Sequence, residues 1–406
     1  MHSRTRALVF GAPLSALISL SILAFAASPA QAQTLQKTGP IAPHDVNSSE
    51  GDGSPDFHEL LHVDLGPLTL EPVVLLQAQA IPYVGKDSFL QAGDPAERGG
   101  FRMRRARFGL GGKLYDRVPF KISAEFSSDE KGTARLHDAW FGYDKWQSVQ
   151  LFAGARDVPF SRSAMIESGG GAMIERPLSV RAMAPFHQLG MSVEGHLWKS
   201  ALSYAVGVYN GLERSDRFYE GYGENAALLG NRFDGLTYAG RLESEPLGSL
   251  GHSIEDLRKG PFRVGVGASF FFSNGGTRDL LGAGADVLLH AHGFHLLGEL
   301  ISNHSSPHAI PTQPTAQIST VQSLAAIGEV GYMLVKNRLG INARFEWIDP
   351  NTSVKDEADS WLASGGLGYH VLHDFLKANL DFTHRQEIHG NSLKNDSLVF
   401  QLQLNL

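Results

Sequence analysis

Cationic side chains recur at every second position along several stretches of this sequence. Counting in steps of two along apolar–polar alternations puts Arg105, Arg107, Lys113, Lys121, Arg156, Arg241, Arg263, Arg344 and Lys377 on polar faces. A guanidinium stays charged and offers a fork of N–H donors that fits phosphate or carboxylate oxygens, so a row of them can pass an oxyanion from site to site. Glu125, Asp138, Glu194, Glu243, Asp286, Glu299, Glu329, Glu346 and Asp381 share the same parity. The other use of these arginines is therefore pairing with acids to brace a wall, and both readings stay open at this point. Segment 158–186 adds Arg162, Arg176 and Arg181 against Glu167 and Glu175, a net of +1. Arg105, Arg107, Lys121, Arg156, Arg162, Arg176, Arg181 and Arg241 are the residues expected to line a path and meet anions.

Other chemistries find less support. Gly169-Gly170-Gly171 lacks the Lys-Ser/Thr and the strand-loop-helix setting of a phosphate cradle, so a backbone that bends in a narrow space is the better account. His290, His292, His295, His304 and His308 form the densest histidine group, but they are expected at different heights of a strand pair. No Gly-x-Ser-x-Gly occurs. With no cysteine, thiol catalysis, disulfide scaffolds and Fe–S clusters are excluded. The expectation is no enzyme, no cofactor and no metal.

Positioning such residues is the task of the surrounding elements. The 406 residues include 45 glycines and only 19% charged side chains, with a formal charge of −7 that argues against a nucleic-acid partner. Residues 1–32 read as a removable signal peptide: Arg4 and Arg6, an apolar stretch from Ala7 to Ala27, then Ala30-Gln31-Ala32. Its removal leaves 33 basic and 42 acidic residues, a net of −9. Residues 33–71 read as a flexible periplasmic lead-in.

From residue 72 to 406 the dominant signal is period-two alternation. Leu398, Phe400, Leu402 and Leu404 share one face, with Gln401, Gln403 and Asn405 on the other. Sixteen such segments follow one another, most of 10 to 14 residues, a length that suits strands tilted across a bilayer. Short connections such as Asp116-Arg117, His292-Gly293 and Lys336-Asn337 interleave with long ones at 82–100, 158–186, 211–234, 304–321 and 349–360; on the short side only 245–261 is long. This is the plan of an all-β transmembrane antiparallel barrel, with periplasmic turns and external loops. Tyr115, Trp140, Tyr143, Trp146, Trp198, Tyr238, Trp347 and Trp361 fall near strand ends, where aromatic girdles are expected.

Arg104-Arg105-Ala106-Arg107-Phe108-Gly109-Leu110-Gly111-Gly112-Lys113-Leu114, Leu136-His137-Asp138-Ala139-Trp140, Gly154-Ala155-Arg156-Asp157-Val158-Pro159-Phe160, Ile174-Glu175-Arg176-Pro177, Tyr209-Asn210-Gly211 and Tyr238-Ala239-Gly240-Arg241 occur in this order. The set resembles the phosphate-selective porin O and P family. Where the family carries an arginine after the third loop, this chain has His187, and it ends in Leu406 rather than an aromatic residue. The resemblance implies a trimeric sixteen-stranded porin of the outer membrane, whose third external loop folds into the lumen and whose constriction is basic. Small anionic solutes such as phosphate are the implied cargo, with outer-membrane lipid and two further copies of the chain as partners. The alternatives are a non-selective diffusion porin and a structural or adhesive barrel.

Overall fold

The computed structural model describes residues 62–87, 98–127, 134–198, 201–214, 218–223, 235–251, 253–274, 278–307, 319–372 and 375–406. Residues 1–32, expected to be a signal peptide, most of the expected lead-in and His308 lie outside them.

A two-residue strand β1 (Val63–Asp64) pairs with the start of β2 (Leu68–Val84). The other sixteen strands form one closed antiparallel sheet. They are β2, β3 (Gly100–Leu114), β4 (Val118–Glu125), β5 (Arg135–Trp146), β6 (Val149–Asp157), β7 (His187–Leu197), β8 (Leu202–Asn210) and β9 (Leu236–Ser244). Then follow β10 (Arg263–Ser273), β11 (Arg278–Ala291), β12 (Phe294–Pro307), β13 (Val321–Val335), β14 (Leu339–Asp349), β15 (Ser360–Leu372), β16 (Leu376–Glu387) and β17 (Ser397–Asn405). Each strand pairs with the next, and β17 pairs with β2 to close the wall, with Gln401 opposite Gln79 and Gln403 opposite Gln77. The closed circuit leaves no unpaired edge, as a wall in lipid demands. The first barrel strand starts at Leu68, four residues before the expected 72, because Leu68 and Leu70 continue the alternation.

Parity sorts the side chains as the sequence implies. Phe141, Met191, Val206, Phe270, Leu300, Phe345, Leu367 and Leu402 are exposed on the outer, lipid-side face, whereas Gln77, Asp138, Glu194, Asp286, Glu329 and Gln401 are buried inside. Tyr115, Trp146 and Trp198 stand exposed at three turns of the short-turn end, a girdle at one interface. Trp140 departs from expectation. It is buried in the lumen, edge-on to Phe152 at 5.8 Å.

Of the register shifts along the wall, two bring an extra side chain inward beside the long insertion. In the β2–β3 pair, Gln77 opposes Arg105 and the next residue, Ala78, opposes Met103, so Arg104 is the extra residue. In the β4–β5 pair, Ser123 opposes Asp138 and Ala124 opposes Leu136, leaving His137 as the extra residue. A bulge turns adjacent side chains toward one face of the sheet.

The lumen is not polar throughout. Segment 158–186, the third connection on the long-loop side, carries short helices at Arg162–Met165 and Leu178–Met183. Val158, Phe160, Leu178, Val180, Met183 and Phe186 of this segment form an apolar cluster with Phe271, Leu280, Ile301, Ile327, Ile348 and Leu362 from the inner faces of β10 to β15. Phe160 meets Phe271 edge-on at 5.0 Å. The insertion is thus anchored by hydrophobic burial on one half of the wall.

The long connection on the short-turn side, 245–262, also enters the lumen. Leu250 and Ile254 pack with Ala172, Leu288 and Leu297. Asp256 accepts from the Gly293 amide at 2.7 Å, tying the segment to the β11–β12 turn.

Candidate functional site

The two inserted segments meet at the triple glycine. The Gly169 carbonyl accepts from Gln403 Nε2 at 3.0 Å on β17, and the Gly171 carbonyl from Lys377 Nζ at 3.0 Å on β16. The Gly170 carbonyl accepts a longer bond, 3.4 Å, from the Ile254 amide. A Cβ on Gly169 would sit 2.6 Å from Asn405 Nδ2. At Gly169 the missing side chain thus allows close approach to the wall, a reason that the sequence alone did not offer beside bending freedom.

Wall side chains bridge both insertions. Lys377 Nζ also reaches Glu255 Oε2 at 2.8 Å, and Asn342 Nδ2 donates to the Ala172 carbonyl at 3.1 Å and to Glu255 Oε1 at 3.2 Å. Burial drives the Glu255 carboxyl up, but the charges of Lys377 and His370 and their hydrogen bonds outweigh it and hold it well below the usual carboxylate range.

Glu175, at the tip of the long-loop insertion, gathers the arginines of β3. Arg104 clamps it with Nε–Oε1 at 2.6 Å and Nη2–Oε2 at 3.0 Å. Arg102 Nη2 lies 3.7 Å and Arg105 Nη2 4.0 Å from the same carboxylate. Burial alone would raise the Glu175 carboxyl; Arg104, then Arg105 and Arg181, outweigh it, so the group stays ionised well below the ordinary range. Two small lumenal cavities share Ile174, Glu175, Arg176 and Arg344 in their linings; Arg181, Glu346 and Asp381 are among the others that line one, and Arg105, Glu167 and Ser168 among those that line the other.

The structure divides the eight expected residues. Arg105, Arg176 and Arg181 line these cavities. Arg176 also holds its own loop, donating to the Ile166 carbonyl at 2.6 Å and the Ser163 carbonyl at 3.2 Å. Arg107 pairs with Glu125 at 2.9 Å, and Lys121 bonds Glu167 at 2.9 Å with Asp138 at 3.4 Å. Arg162 and Arg241 converge on Asp286 at 2.7 and 2.6 Å, with Glu243 at 3.1 and 2.7 Å from them. Arg156 lies apart, 2.8 Å from Glu194 and over the Phe152 ring at 4.1 Å. Wall bracing thus accounts for Arg156, Arg162 and Arg241 better than an anion ladder does.

Arg102 and Arg104 were absent from the sequence-derived set because strict parity turns them outward. Phe101 and Met103 carried the signal: their apolar parity is out of step with Ala106, Phe108 and Leu110, which marks a bulge between. The histidines are dispersed as expected for His292, in a turn, and His304, exposed on β12, but His290 and His295 face one another across the β11–β12 hairpin. A separate group, His137, Asp138 and His187, forms at the neck of the long insertion, with ligand atoms all within 4.8 Å of one another.

A closed sixteen-strand barrel with an apolar exterior and an inserted loop defines an outer-membrane porin. The family model for phosphate-selective porin O and P matches residues 87–248, so the resemblance carried by the motifs in that stretch stands. Among solved structures, the outer membrane channel DcaP of Acinetobacter baumannii is 12% identical, with a TM-score of 0.56, covering 84% of this chain and 99% of that one. An anion-selective porin from Comamonas acidovorans is 12% identical, with a TM-score of 0.53, covering 83% of this chain and 98% of that one. OmpT of Vibrio cholerae in a trimer form is 9% identical, with a TM-score of 0.50, covering 84% of this chain and 100% of that one. No curated protein sequence matches.

Proposed function

We propose that this porin passes small solutes with a preference for anions of the phosphate type, acts as a homotrimer and carries out no catalytic step. One observation carries the reading: Arg102, Arg104 and Arg105 converge on the single carboxylate of Glu175, beside cavities that Arg176, Arg181 and Arg344 also line. Arg102 Nε also donates to Gln79 Oε1 at 2.7 Å and Arg105 Nη1 to Gln77 Oε1 at 2.6 Å, so the guanidinium groups are held as a fixed patch of positive charge whose field favours oxyanions. The local cluster counters the net negative charge of the whole chain. The family match and the trimeric relative support the same reading.

Purified protein in a planar bilayer is expected to give conductance steps in threes, an anion-side reversal potential in a KCl gradient, and chloride current blocked by phosphate. Cation preference would overturn the anion reading, and absence of steps would favour a structural barrel. Lipid and peptide substrates are expected to remain uncleaved.

A further inference from the structure

We propose that His137, Asp138 and His187 form a binding site for a divalent transition-metal cation of the imidazole-preferring kind, with Zn(II) as the probe. The site stands at the neck of the long insertion. Asp157 is the last residue of β6 and His187 the first of β7, and the two are paired in register.

Three features make it more than a group of neighbours. First, the β5 bulge at His137 brings two adjacent ligand-type residues to one side of the sheet, where period-two alternation would separate them. Second, His187 faces Asp138 Oδ1 through Nε2 at 3.0 Å and Asp157 Oδ1 through Nδ1 at 2.8 Å. A ligating imidazole characteristically donates its other N–H to a carboxylate, which fixes the ring and raises its basicity. Asp157 stands at that outer position at ion-pair distance, leaving Nε2, Asp138 Oδ1 and a His137 nitrogen to surround the ion. Third, the span of one ligand pair is right: two bonds of about 2.0–2.1 Å at a near-tetrahedral angle separate their ligand atoms by a little over 3 Å, His187 Nε2 and Asp138 Oδ1 stand 3.0 Å apart, and a modest inward shift brings His137, within 4.8 Å of both, to the same centre. An ion can replace the proton between His187 and Asp138 with little movement. The rings of His137 and His187 lie 4.0 Å apart and tilted by 32°, as neighbours around one centre can.

Charge fits as well. Asp138 and Asp157 supply two negative charges. Lys121 lies 3.4 Å from the far oxygen, Asp138 Oδ2, but is drawn to Glu167 at 2.9 Å. Ser123 Oγ donates to that same Oδ2 at 2.7 Å, which turns Oδ1 toward the histidines. Imidazole with one carboxylate selects metals such as Zn(II) or Ni(II) over Ca(II) or Mg(II).

The test is calorimetric titration of the purified, detergent-solubilised full barrel with Zn(II), with Co(II) visible absorption as a second readout. Neither depends on conduction, so failure here and failure of the porin reading are distinguishable. One Zn(II) per chain is expected. His187→Ala should abolish binding, and Asp157→Asn should weaken it about 10–100-fold. His137→Gln leaves the His187 pairs intact, so folding is preserved; it should weaken binding by at least about tenfold. No saturable Zn(II) binding, or binding unchanged in the His137→Gln variant, would overturn the proposal.

Discussion

Arg104 clamps Glu175 across the lumen through two N–H···O bonds of 2.6 and 3.0 Å, joining the wall at β3 to the tip of the long insertion. The bond pair depends on one extra residue in a strand, since without the bulge Arg104 would point into lipid.

Glu175→Gln should loosen this clamp and leave the β3 guanidinium groups without their shared counter-charge. Breaking a buried ion pair from one side costs about 3–5 kcal/mol. The variant should unfold at lower temperature in detergent, while its reversal potential moves further to the anion side. A shift toward cations would mean that the β3 arginines do not meet the solute.

Arg162→Ala should be costly for a different reason. It leaves Asp286 and Glu243 to Arg241 alone and takes away the guanidinium that lies 3.6 Å from Glu245. A loss below the about 3–5 kcal/mol of a fully uncompensated buried charge is expected, together with loosening of the 158–186 insertion. Limited proteolysis within that segment checks the second point.

Glu245 gives the lumen a pH response. Burial, then the neighbouring charge of Glu243, push its carboxyl up to about 7, against the opposing pull of Arg162. A carboxyl raised in the folded state contributes stability while it is protonated, and that contribution is lost as pH rises through the folded value. Thermal stability should therefore fall from about pH 4.5 to about pH 7, between the unfolded and folded values, and anion preference should fall around pH 7, as a negative charge develops at the short-turn end. Glu245→Gln should flatten both profiles across that window.

Lys377→Met removes the side chain that holds Gly171 of one insertion and Glu255 of the other. Segment 245–262, still tied by Asn342, Asp256 and the packing of Leu250 and Ile254, should then loosen, raising single-channel conductance above that of the unmutated protein. Unchanged conductance would show that this segment lies outside the current path.

The barrel itself was legible in the sequence because each strand is dictated locally: lipid on one side and polar lumen on the other impose a period of two. What parity could not carry were the departures from it. Bulges at Arg104 and His137 shift a strand by one residue, and only a phase slip in the apolar positions betrays the first of them. The apolar patch inside β10 to β15 was hidden because Phe271 and Ile301 look like ordinary strand residues until Phe160 and Met183 cover them. Leu250 and Ile254 in an overlong turn were the readable hint that 245–262 is inserted. Pairing of arginines with acids depends on side chains distant in sequence, such as Arg162 and Asp286, and only the fold decides it.

The seam of the barrel has a consequence for assembly. Gln77 Nε2 donates to Gln403 Oε1 at 2.7 Å and to the Ser168 carbonyl at 3.1 Å, while Gln403 Nε2 reaches the Gly169 carbonyl at 3.0 Å. The residues that zip the first barrel strand to the last thus also grip the inserted loop. A sheet that shut with the loop still outside would trap half-bonded amides in a buried place, at a cost of about 1–3 kcal/mol for each unsatisfied group. Threading the loop and closing the cylinder are therefore coupled in energy: the seam is fully bonded only in a barrel whose pore is already furnished.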